Sequence, residues 1–247
     1  MNTPDAPGRP ATPGRPGRWY PARLVEREKQ TETGRTLRFD VPRWPGHLPG
    51  QHVDVRLTAA DGYQAVRSYS LARPADGDVV ELGVQAVPGG EVSPYLADDL
   101  PVGARIEMKG PLGGWFVWDG AVDSALLLVA GGCGVVPLTA MLRARRANAA
   151  ETPRALLYSV RDPDEVWYAD ELGTPRPHES IRVLYTRRAP GGANRPAGRI
   201  TLDDLEGLPP PGARCYICGP TGFVEHAGDL LRAAGHPADR IRTERFG

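Results

Sequence analysis

Cysteine is scarce in this sequence: Cys133, Cys215 and Cys218 are all that 247 residues contain. Three is too few, and an odd number, for a disulfide framework, so packed cores must hold the chain together. A reducing compartment fits better than an oxidising one. Net charge is also missing, with 30 basic against 30 acidic side chains. That excludes a global pull toward nucleic acid or an anionic membrane. Long hydrophobic runs are absent too. No stretch reaches the ~18 apolar residues that mark a spanning helix, and the N-terminus carries no apolar run of the signal-peptide kind. A cytoplasmic location is expected, with no membrane and no nucleic-acid partner. Metal ligands are equally sparse. The histidines (His47, His52, His178, His226 and His236) form no spaced ligand pair, and three cysteines cannot complete a four-cysteine iron–sulfur site.

What the sequence does contain falls into two grammars. Residues 1–18 are rich in Pro, Gly and Arg without apolar periodicity and are expected to form a disordered tail. From residue 19 to 118 the pattern is β, with alternating runs at 35–41, 52–57, 67–72, 79–87 and 105–109 separated by turn clusters, and one short helix near 92–98. An antiparallel six-stranded barrel is the expected fold of this first domain. Beyond residue 118 strands alternate with helices. Strands are expected at 125–130, 154–160, 181–186, 214–218 and 241–246, and helices after residue 134, near 166–172 and over 222–234. That alternation predicts a doubly wound parallel sheet over 119–247.

The strand at 125–130 runs into Gly131-Gly132-Cys133-Gly134 and then a helix. Glycines let the backbone turn sharply and let a pyrophosphate come close, and the helix N-terminus offers free N–H groups. The loop reads Gly132-x-Gly134-x-x-Pro137, with Val135 as the first residue of the helix. Taken alone it is also the pattern of an ordinary tight strand–helix turn.

Three further stretches accompany it: Arg67-Ser68-Tyr69-Ser70 in a barrel strand, Cys218-Gly219-Pro220 at the end of a sheet strand, and Glu244-Arg245-Phe246-Gly247. Arg-x-Tyr-Ser, Gly-Gly-x-Gly-x-x-Pro and Cys-Gly-Pro, in this order over residues 19–247, resemble the ferredoxin–NADP reductase superfamily. The Phe-Gly ending departs from the plant-type enzymes, which end in Tyr, and is similar to the reductase modules of bacterial oxygenase systems. The resemblance implies an FAD-binding barrel and an NAD(P)-binding domain. In that family the Arg67–Ser70 strand binds the flavin. Arg67 would grip the pyrophosphate as a planar cationic fork, Tyr69 would stack on the isoalloxazine, and Ser70 would bond the flavin N5 region. The Gly89-Gly90-Glu91-Val92-Ser93 stretch looks like the second flavin-phosphate element, through Gly90, Val92 and Ser93 at a helix start; it also reads as a plain helix cap. Cys218, Gly219 and Pro220 would lie beside the nicotinamide, Glu244 near it, and Phe246 over the flavin face. The catalytic group implied is Ser70, Cys218 and Glu244.

Thr186-Arg187 resembles the Ser-Arg pair that holds the 2′-phosphate in NADP-specific members, and Arg161 offers a second cation. These favour NADPH, while Asp162 close by keeps NADH open. A Cys215-x-x-Cys218 redox disulfide is rejected, because positions three apart on a strand face opposite ways. With no iron–sulfur ligands in the chain, the electron acceptor is expected to be another molecule, and the resemblance implies a ferredoxin or an oxygenase component. The alternatives are a reductase that uses diffusible flavin, or a non-catalytic electron-transfer subunit.

Overall fold

The structure, a computed structural model, describes residues 18–148, 151–193 and 195–246. Apart from Arg18, the stretch expected as a disordered tail lies outside the described residues, as does Gly247.

The first half is a six-stranded antiparallel sheet: β1 (Trp19–Lys29), β2 (Gly34–Asp40), β3 (His52–Thr58), β4 (Gln64–Ser70), β5 (Val79–Gln85) and β6 (Arg105–Leu112), in the spatial order β4-β3-β6-β1-β2-β5. The two edges meet where Leu71 bridges Leu82, which closes the sheet into a barrel. Alternation explains the core. In β1, Tyr20, Ala22 and Leu24 point inward, and in β2 Leu37 and Phe39 do the same. Residues 19–29 carry only these three inward apolar positions; Pro21 sits among them and a bulge between Leu24 and Glu26 follows. The sequence therefore marks this stretch as β without marking its longest strand. The strand expected at 67–72 is found at Gln64–Ser70, because after Ser70 the chain crosses to β5. The helix expected near 92–98 is a single wide turn at Tyr95–Asp99, entered through Pro94.

The second half is a five-stranded parallel sheet: β7 (Leu126–Gly131), β8 (Arg154–Val160), β9 (Glu179–Tyr185), β10 (Arg214–Pro220) and β11 (Ile241–Phe246), in the order β11-β10-β7-β8-β9. Helix α1 (Val135–Ala147) covers one face, α3 (Thr221–Ala233) the other, and a short α2 (Ala169–Leu172) follows β8. Every residue of β7 and β8 is buried, as strands covered on both faces require. Cys215 belongs to the core under α3 and Cys218 to the core under α1, on opposite faces as the period of two dictates. All three cysteines are free. Among the described residues no helix is long and apolar enough to cross a membrane.

Candidate functional site

The parallel sheet ends, at its C-terminal edge, in the loops expected to bind nucleotide. Gly132 follows β7 with φ of +55°, and a Cβ built on it would meet nothing within 4 Å, so the backbone there faces open space. Gly134 is the opposite case. A Cβ would lie 2.3 Å from the Cys218 carbonyl oxygen, so only glycine lets the first turn of α1 pass this close to β10. Val135 and Pro137, in that first turn, are fully buried, as the run from loop to helix requires. Gly131 and Gly219 leave room for the Phe223 ring, which a Cβ on either would approach to 2.7 and 2.8 Å.

These loops enclose a cleft of about 270 Å³ whose walls include Gly132, Cys133, Arg161, Thr186, Pro220 and Phe246. Gln85, at the end of β5, lines the same cleft, so the barrel contributes directly to its wall. Gln85 and Phe223 had no sequence signal of their own: Gln85 is the outermost residue of a strand, and Phe223 reads as one more apolar position of α3. Phe246, 38% exposed, is aligned in the parallel ladder with Pro220.

Cys218 and Glu244 are aligned on β10 and β11. Burial, reinforced by the neighbouring Glu244 carboxylate, pushes the Cys218 thiol well above its usual range. Burial also raises Glu244 to about 7. Cys133, in the glycine loop, is pushed by burial to about 11.

On the barrel side, β4 has a single buried residue, Ala65, and presents Arg67 and Ser68 to solvent with Tyr69 and Ser70 half-buried. Ser68 Oγ donates to Asp54 at 2.7 Å, which turns its hydroxyl toward β3. Burial holds the Tyr69 hydroxyl protonated, at about 12 despite Arg67 nearby. His52 is the cross-strand partner of Ser70, and burial, against a weaker pull from Asp54, keeps its imidazole below the usual value. Arg67 reaches Glu91 at 3.7 Å, which ties β4 to the Gly90–Ser93 loop. Ser93 Oγ accepts from the Val87 N–H at 3.1 Å and so shapes this loop; it precedes the Tyr95–Asp99 turn by two residues, and Val92 is buried beneath it. Next to Arg67 the Val66 side chain is exposed, and the exposed Tyr63 reaches the same Glu91 through its hydroxyl at 3.2 Å. A guanidinium flanked by uncovered apolar surface fits a ligand with both phosphates and flat rings, which is the chemistry of FAD. The open Gly132 backbone before α1 fits a dinucleotide pyrophosphate in the same way.

At the edge of β9 the arginines divide. Arg188 pairs with Asp164 at 2.6 Å and Asp162 at 3.5 Å, and Arg161 pairs with Glu165 at 3.6 Å. Arg187 is exposed and makes no ion pair among the described residues. Thr186 lines the cleft.

Known proteins share both halves. Residues 21–117 match the model of an oxidoreductase FAD-binding domain, and residues 128–229 that of an oxidoreductase NAD-binding domain. The chain is 31% identical to a flavohemoprotein of Chromobacterium violaceum over 93% of its own length and 61% of that protein's. It is 30% identical to the ferredoxin–NAD(P)(+) reductase component of the naphthalene 1,2-dioxygenase/salicylate 5-hydroxylase systems of a Ralstonia species, over 92% of this chain and 70% of that one. An Amycolatopsis cytochrome P450 reductase superposes with a TM-score of 0.81 at 26% identity, covering 93% of this chain and 70% of that one. A Neisseria gonorrhoeae ferredoxin NADP+ reductase with bound FAD and NADP shares the fold, with a TM-score of 0.78 at 19% identity over 93% of this chain and 99% of its own. A barrel bearing Arg67–Ser70, a parallel sheet bearing the glycine loop and Cys218–Pro220, and these matches over both halves agree: the chain belongs to the ferredoxin–NADP reductase superfamily of FAD- and NAD(P)-binding oxidoreductases.

Proposed function

We propose that this protein takes hydride from NAD(P)H, with NADPH preferred, onto FAD and hands the electrons to a separate acceptor, a ferredoxin or an oxygenase component. The observation that carries this reading is the shared cleft: Gln85 from the barrel and the glycine loop, Pro220 and Phe246 from the parallel sheet line one space. Bound FAD supplies the hydride acceptor and the means to release electrons singly.

The chain's own residues have separate tasks. Arg67 binds phosphate oxygens, with the N–H groups of the Gly90–Ser93 loop as a second hold. Tyr69, neutral and half-buried, offers a ring face and a hydroxyl proton. Ser70 would donate a hydrogen bond to the flavin ring. Gly132, just before α1, would receive the dinucleotide pyrophosphate on its open backbone, Gly134 lets that helix start close against β10, and Cys218–Pro220 would lie beside the nicotinamide. Glu244, once ionised, stabilises the positive charge that grows on the nicotinamide as hydride leaves. Phe246 covers the cleft and keeps water out. Arg187, with no acid of its own, is the cation left for a 2′-phosphate. The separate acceptor is supported by the Ralstonia relative, which is a reductase component of dioxygenase and hydroxylase systems, and by a Mycolicibacterium smegmatis relative, a ferredoxin reductase component of a 3-ketosteroid monooxygenase.

Anaerobic mixing of the purified protein with NADPH, and separately with NADH, tests the reading through flavin absorbance. Bleaching is expected with both, faster with NADPH. Arg187→Ala should raise the KM for NADPH tenfold or more, since a charge-assisted phosphate contact contributes ~1.5–3 kcal/mol, and leave that for NADH within twofold. A yellow protein that neither nucleotide bleaches overturns the proposal in favour of a docked electron-transfer subunit.

A further inference from the structure

Strand β5 of the barrel meets helix α1 of the α/β half at two contacts, and its end shares the cleft with the loop before that helix. At the near end Gln85 shares the cleft with Gly132 and Cys133. In the middle Gly83 lies against Val136, where a Cβ would come within 2.4 Å of Val136 Cγ2. At the far end Arg143 Nη1 donates to Glu81 Oε1 at 2.8 Å and to the Ala72 carbonyl at 2.8 Å. Glu81, Gly83 and Gln85 alternate onto one strand face, and Val136 and Arg143, two helical turns apart, share one helix face.

The far contact is a rigid one. Glu81 is 3% exposed, and Arg38 and Arg73 of the barrel also reach it, at 3.3 and 3.7 Å. Arg143 is braced within its own half by Glu171 at 2.6 Å, and its guanidinium stands 4.9 Å from the Tyr168 ring centre. Apolar surfaces such as Gly83 on Val136 allow sliding; a planar fork held on several sides does not.

We propose that Glu81 and Arg143 are positioning residues for the hydride transfer, pinning the far end of the β5–α1 seam and thereby setting the spacing of the two halves at the cleft. Neither touches the cleft itself. This rests on the function proposed above, because the spacing matters only if nicotinamide and flavin meet there. Reaction rates are steep in such distances, and a displacement near 1 Å costs about a hundredfold.

The test compares FAD-loaded protein carrying Glu81→Gln, Arg143→Lys or Asp204→Asn with the unaltered chain. Asp204 is a buried carboxylate whose partners, Arg195 and Thr201, lie in the α/β half and outside the ion pairs that reach Arg143. Two quantities are read: the limiting rate of flavin bleaching at saturating NADPH, and amide hydrogen exchange across residues 83–85 and 132–136. Glu81→Gln and Arg143→Lys should each lower the limiting rate tenfold or more and speed exchange in both segments. FAD content and the KM for NADPH should stay within twofold, and Asp204→Asn should change neither readout. Unchanged exchange in Glu81→Gln, or an equal fall in rate for Asp204→Asn, overturns the inference. The exchange result decides it even for a protein that no nucleotide bleaches, an outcome that would overturn the function alone.

Discussion

Glu244 shows how much a single residue's surroundings decide. Its position two residues before the last strand's Phe246 is legible in the sequence, but its protonation is not. Burial raises its carboxyl from the usual range to about 7. Below pH 7 the group is neutral and contributes little to a growing positive charge; above it the carboxylate stabilises that charge. The limiting rate of flavin reduction by NADPH is therefore expected to rise severalfold between pH 6 and pH 8, on the order of what one partly screened charge contributes. Glu244→Gln should hold the rate near the low-pH value throughout, and stopped-flow measurement across that range checks it. The motif residues Arg67, Tyr69, Cys218 and Gly134 stand out for the same reason they are useful: a lone cation, a ring, a thiol and a glycine are each poorly replaced. Gln85, Phe223 and His52 do not stand out, since each is defined by what the fold brings against it.

Elements differ in how plainly they declare themselves. Strand β8 lies where its apolar run places it, and β11 fills the expected 241–246 with only Ile241 and Phe246 as apolar residues. Helix α1 follows its glycine loop because Gly132 can take a positive φ and Gly134 can approach β10. Gly134→Ala should test that approach. The added methyl meets a backbone carbonyl, which cannot rotate away, so the loop or β10 must shift. A loss of about 1–3 kcal/mol in unfolding free energy is expected, together with a weaker NADPH affinity in titrations; a variant unchanged in both would refute the close packing. Where sequence reading went astray, the cause was local. The short helix of the barrel starts at Tyr95 rather than at residue 92, because the Ser93 hydroxyl accepts the Val87 N–H and commits residues 87–93 to the loop. Strand β4 ends at Ser70 because Leu71 turns to meet Leu82 and close the barrel.

At the scale of the whole molecule, charge that sums to zero is organised as a chain of ion pairs. It runs from Arg154 and Glu179 through Arg146, Glu171 and Arg143 to Glu81 and Arg38, crossing from the parallel sheet to the barrel. The Glu179 side chain is wholly buried. Burial raises its carboxyl, but the hydrogen bonds from Arg146 and Arg154 outweigh that and hold it below the usual range. Its contribution to stability is thus present above the unfolded carboxylate value near pH 4.5 and lost as pH falls through the lower folded value. Glu179→Gln removes the carboxylate that two arginines share and should cost about 3–5 kcal/mol near pH 7, with a smaller difference at pH 3. Thermal unfolding of both proteins at the two pH values measures it, and an equal loss at both would show that charge is not the cause.

Composition and periodicity by themselves determined the division into a β half and an α/β half, the parallel character of the second sheet, and the opposite facing of Cys215 and Cys218. These follow from short-range rules: alternation of two along strands, helical spacing, and the backbone freedom of glycine. Only the tertiary structure decided that Gln85 and Phe246 share a cleft, that Glu244 is buried enough to titrate near neutrality, and that Arg143 reaches Glu81 in the other half. Those facts depend on residues 60 or more positions apart meeting in space, and on how much water is excluded when they do. Neither quantity has a local signature in a single sequence.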